Sequence, residues 1–132
     1  MARQDQPSRA TTVVLWILQV LGAVAFLGAG AGKLIGAQAM VDMYATIGFG
    51  QWFRYVTGVL EVGSAILLLV PSLAAFGAVL LGCTMVGAII AHLTVLHSPP
   101  TGPVVLLLIV STVAWLRRGK RFERNFSHGA SF

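Results

Sequence analysis

Four long apolar runs occupy most of this chain, and nothing else in it limits the fold as much. They cover residues 12–35, 54–70, 71–96 and 104–116. A helix needs about 20 mostly apolar residues to cross the hydrocarbon of a bilayer. The 132 residues therefore hold four crossings and leave no length for a soluble domain. Only 10% of the residues are charged, whereas a water-soluble domain carries about a quarter. The expected fold is all-α, a transmembrane four-helix bundle in the lipid bilayer.

Three segments are expected: a polar N-terminal tail over residues 1–11 with nothing to bury, a four-helix domain over 12–118, and a basic tail over 119–132. The polar start, followed by so long an apolar run, does not fit a cleaved signal peptide. The net charge of +5 does not point to nucleic acid. Arg117, Arg118, Lys120, Arg121 and Arg124 lie just past the last apolar run, where orientation determinants and anionic-lipid contacts belong. The two tails hold seven Lys and Arg and the opposite side only Lys33 and Arg54. Both termini are therefore expected in the cytoplasm, with the chain in the cytoplasmic (inner) membrane. Cys83 is the single cysteine, so two-thiol exchange within the chain is excluded, and an inert buried thiol is expected.

Small residues mark the expected packing faces. Gly28 and Gly32 form a G-x-x-x-G in the first run, and Cys83, Gly87 and Ala91 form a similar row in the third. Such rows let helix backbones approach closely, within the bundle or between copies. Gly58 and Ala65 share a face with Glu61. Between the first two runs, Met40, Met43, Tyr44 and Ile47 recur at helical spacing, which predicts a short amphipathic helix lying in the interface. Gly48 and Gly50 end it, and Trp52 and Tyr55 suit the headgroup level. Pro71 is expected in the first turn of the third span. The fourth span is the most uniformly aliphatic and is expected to be the most lipid-exposed.

Glu61 stands inside the second apolar run. A carboxylate at membrane depth is costly unless paired, and by default it marks function. Counting at 1.5 Å per residue from the expected span ends puts Glu61 ~10 Å in and His92 ~7 Å in from the same side. Lys33 ends the first span on that side too. The three are expected to form a polar cluster between helices. Either Lys33 pairs with an ionised Glu61, or a protonated Glu61 donates a hydrogen bond to His92. The cluster serves as a ligand site or as a clasp that locks the bundle. One His and one Glu fall short of the three protein ligands that zinc requires, so no metal is expected. At the other end Gln19 stands alone, and no proton relay through the membrane is expected.

Three motifs occur in order: F-L-G-A-G-x-G-K-L from Phe26 to Leu34, G-V-L-E-V-G-S-A-I-L-L-L from Gly58 to Leu69, and M-V-G-A-I-I-A-H from Met85 to His92. Together they resemble the DoxX-like family of small four-helix membrane proteins over about residues 13–118. The family's polar positions fall on Lys33, Glu61 and His92. The family takes its name from a small subunit of a thiosulfate:quinone oxidoreductase. The resemblance therefore implies a redox-associated, quinone-linked accessory subunit rather than a stand-alone enzyme. It would have no covalent cofactor, quinone as candidate ligand, and membrane redox subunits or further copies of itself as partners. The alternative is a structural or chaperone-like protein that binds another membrane protein and uses the cluster as a clasp. A small oligomeric transporter ranks behind both, because one-sided polarity offers no alternating-access route.

Overall fold

The computed structural model describes residues 9–129, with side chains through Arg118. It contains five helices: α1 Arg9–Ile35, α2 Gln38–Ile47, α3 Gln51–Leu69, α4 Ala74–Thr94 and α5 Thr101–Gly129. Four of them are long and apolar enough to cross a membrane, α5 through its segment Thr101–Arg118. No strand occurs among the described residues. The four long helices run up and down in turn. α1 packs on α3, α3 on α4, α4 on α5, and α5 closes back on α1, while the short α2 lies against α3. The all-α four-span bundle and the short helix after the first span are as expected.

The boundaries differ from the expected ones, each for a local reason. α1 starts at Arg9, so the last residues assigned to the N-terminal tail are helical; the rest of that tail lies outside the described residues. α5 continues as helix to Gly129, through Gly119 and the residues expected to form a basic tail. Pro71 does not open a helix. It sits with Ser72 and Leu73 in a turn, and α4 begins at Ala74. α2 ends as expected, with Gly48 in the left-handed conformation at φ 87° and its N–H bonded to the Tyr44 carbonyl.

One stripe of α1 faces the core: Leu15, Gln19, Ala23, Phe26, Gly30 and Lys33. This is the three-to-four-residue recurrence of one helix face. Leu68, Leu81, Val110 and Val113 meet it from the other three spans. Lipid tails are as apolar as this core, so close packing must hold the helices together rather than hydrophobic exclusion. Two glycines make the closest approaches. A Cβ on Gly30 would sit 2.7 Å from Val62 Cγ2 and 3.0 Å from the Gly58 carbonyl oxygen. A Cβ on Gly77 would sit 2.8 Å from the Ser64 carbonyl oxygen and 2.9 Å from the Leu68 nitrogen.

These positions correct the expected packing faces. Gly58 is buried against α1 as expected. Gly28, Gly32 and Gly87 have nothing near the site of an added Cβ, Cys83 is exposed rather than buried, and Ala91 is only half-buried. A G-x-x-x-G pattern names a face but not its phase. In α1 the face toward α3 is fixed by Phe26, Gly30 and Lys33, which places Gly28 and Gly32 off it. The fourth span is the most lipid-exposed: 11% of its apolar window is buried, against 28–33% for the others.

Candidate functional site

The charged site lies where α1, α2 and α3 meet. α1 brings Lys33 in its last turn, and α3 brings Glu61 on the same buried face as Gly58 and Ala65. Lys33 Nζ donates to Glu61 Oε2 at 2.8 Å, with side-chain exposures of 11% and 2%. The Gly30–Gly58 contact draws the two backbones together one turn from the pair, so the lysine stem reaches the carboxylate without leaving the interior. α3 starts at Gln51, so Glu61 lies ten residues along it, ~15 Å at the helical rise. That is deeper than the expected ~10 Å and close to the middle of the span.

Arg54 is the buried charged residue beside this pair that sequence reasoning missed. Flanked by aromatics at the start of an apolar run, it looks like an interface charge, yet only 4% of it is exposed. Its Nη1 donates to the Lys33 carbonyl, and its Nε donates to Gln51 Oε1 at 2.8 Å. The last four carbonyls of a helix have no partner within the helix, and a cation there also suits the helix dipole. Arg54 thus caps α1 from a neighbouring helix. The guanidinium lies 4.4 Å from the Tyr55 ring centroid, a cation–π distance. Gly36, with φ 75°, passes over it; an added Cβ there would lie 3.6 Å from Nη1.

α2 closes the site with Tyr44. The Tyr44 and Thr57 hydroxyls share a 2.6 Å hydrogen bond, and Phe53 packs on the Tyr44 ring. Burial raises the Tyr44 hydroxyl above its ordinary pKa of 10.0; the Thr57 bond opposes this, the Glu61 carboxylate adds to it and Arg54 subtracts. The phenol therefore stands within electrostatic reach of both charges. Asp42 on the same helix is exposed and accepts a hydrogen bond from Gln38, outside this group.

The structure joins Lys33 to Glu61 and gives His92 a different partner. His92 Nδ1 and Ser98 Oγ are 2.8 Å apart, across the turn that ends α4. α3 and α4 run antiparallel, with Gly77 facing Ser64 and Leu68. That register puts His92 ~15 Å beyond the level of Glu61, at the same end of the bundle as Arg54. The expected depth of His92 took α4 to run on past Thr94. Instead the helix stops there, before His97, which has φ 48°.

Gln19 is not alone, contrary to expectation. It is fully buried; its Nε2 donates to the Leu68 carbonyl at 2.7 Å, and its Oε1 accepts from Arg117 Nε at 2.9 Å and from Arg117 Nη2. Arg117 also lies over the Trp16 ring. The contact ties α1, α3 and α5 together at the opposite end.

Four apolar helices with an ion pair at mid-span define a small polytopic membrane protein. The sequence profile of the DoxX-like family matches residues 17–115, and the chain belongs to that family. No curated protein and no solved structure matches it.

Proposed function

We propose that the protein is a quinone-linked accessory subunit of a membrane redox assembly, binding a small apolar ligand whose polar head meets Lys33 and Glu61. The observation that carries this reading is the buried Lys33–Glu61 pair near the middle of the membrane span. Ionisable groups at that depth are costly and mark functional sites by default. Family membership and the family's namesake support the redox association. The residues fit a quinone: the lysine ammonium can donate to a ring oxygen, and Glu61 Oε1, which has no hydrogen-bond partner among the described residues, can accept from a ring hydroxyl. A quinone bound here would supply the electron-carrying chemistry. The protein's share is to orient the ring, hold a proton at Glu61 and keep water out between apolar helices.

The test is retention. The protein is purified in mild detergent from quinone-containing membranes and its organic extract analysed. The wild-type protein is expected to carry quinone and Glu61→Gln to lose it. Absence of quinone and of any redox partner from the wild-type preparation, with unchanged quinone reduction in membranes carrying Glu61→Gln, would remove this reading.

A second reading has its own support. Among the described residues, every fully enclosed side-chain N or O atom has a hydrogen-bond partner. A polar network closed in this way suits a clasp in a protein that holds another membrane protein. In that case a copurifying membrane protein would survive Glu61→Gln, and thermal stability would fall.

A further inference from the structure

We infer that Arg54 is the head-group site of an anionic membrane lipid, separate from the Lys33–Glu61 pair and independent of whether a quinone occupies that pair. The argument begins with charge. Lys33 and Glu61 neutralise each other. Arg54 is buried beside them, and among the described residues no carboxylate lies within ion-pair distance of it. The nearby Asp42 is exposed and bonded to Gln38. The site therefore holds one positive charge in excess, and a buried cation without a counter-charge is costly in a low-dielectric surrounding.

The geometry leaves room for a counter-ion. Nε and Nη1 are used by Gln51 and the Lys33 carbonyl, while Nη2 has no partner among the described residues. Because no fully enclosed side-chain nitrogen lacks a partner, Nη2 must reach the surface. Gly36 carries no side chain over the guanidinium that would cover it. A guanidinium with a free N–H edge is well suited to a phosphate oxygen.

Depth identifies the occupant. Arg54 lies three residues into α3, ~4.5 Å from its start. Phe49, Trp52 and Tyr55 around it are exposed aromatics, the residues that collect at headgroup level. At that level the phosphates are those of lipids, and the neighbouring exposed apolar faces accommodate acyl chains.

The experiment uses the full-length protein in neutral detergent, supplemented with phosphatidylglycerol, with phosphatidylcholine or with inorganic phosphate. Lipid retention is read by native mass spectrometry and the melting midpoint by thermal shift. The wild-type protein is expected to retain phosphatidylglycerol about tenfold over phosphatidylcholine and to melt higher only with the former. Arg9→Gln, at an exposed basic residue of the other end, is expected to keep that preference, and Arg54→Gln to lose it. If Arg54→Gln does not fold, Arg54→Lys keeps the charge and is expected to keep most of the preference. Equal retention of both lipids by the wild-type protein, an undiminished preference in folded Arg54→Gln, or loss of the preference in folded Arg54→Lys would overturn the inference. So would a full thermal shift from inorganic phosphate alone. Quinone content, measured in the same samples, reports on the redox reading separately, since that reading places its ligand at Glu61.

Discussion

The two ends of the bundle solve the same problem with different chemistry. At each end a buried side chain from one helix caps a terminal carbonyl of another: Arg54 on the Lys33 carbonyl, Gln19 on the Leu68 carbonyl. The Gln19 end does this with a neutral amide, and the cation that meets it, Arg117, is half-buried and donates to that amide. The other end uses three ionisable side chains, all almost fully buried. A neutral amide suffices to fasten helices. Charges at membrane depth add cost without adding fastening, and that excess is the reason to assign function to the Lys33 end and structure to the Gln19 end.

The largest effect should come from breaking the charged end unequally. Glu61→Gln leaves Lys33 buried without its counter-charge beside an already uncompensated Arg54. The expected loss is about 3–5 kcal/mol, read as a lowered unfolding midpoint in detergent. At the amide end, Gln19→Leu orphans the Leu68 carbonyl and removes one partner of Arg117, at about 1–3 kcal/mol. If this variant costs as much as Glu61→Gln, the two ends are equivalent fasteners and the contrast fails.

Packing sharpens the comparison next. Gly77→Ala pushes a methyl against the Ser64 carbonyl and the Leu68 nitrogen, backbone atoms that cannot move aside. It should cost about 1–3 kcal/mol. Gly28→Ala, with nothing near its added methyl, should stay within about 0.5 kcal/mol. Similar midpoints for the two would contradict the helix phase described above.

The smallest effect is the titration of Tyr44. Its folded pKa is raised, so the stability it contributes is fully present below pH 10.0, the ordinary value, and is lost as pH rises through the higher folded value. Ultraviolet titration should show one tyrosine ionising later than usual in the folded protein, and Tyr44→Phe should remove that late step.

Much of this architecture is legible in the residues. Run length and charge scarcity dictate four crossings, and the spacing of Met40, Met43, Tyr44 and Ile47 marks α2. Glu61 betrays itself because a carboxylate in an apolar run must find a partner, and Lys33 was one of two candidates. Arg54 was hidden, since an arginine between aromatics at a span edge has the same sequence signature whether it points to water or caps a helix. Gln19 was hidden because an amide's partners are carbonyls and a distant arginine, neither visible in local pattern. Gly28 and Gly32 misled because a small-residue repeat recurs along the helix without saying which side meets a neighbour. The buried stripe that ends at Lys33 is the better guide to phase.

The central claim is that the charged pair serves a ligand rather than the fold. The most direct measurement is quinone content and melting midpoint of the double variant Lys33→Met with Glu61→Leu, which removes both charges and leaves apolar side chains in their place. Such replacements are often neutral or stabilising. The account predicts a folded bundle melting at or above the wild-type midpoint and carrying no quinone. A double variant that still carries quinone at the wild-type level would contradict it.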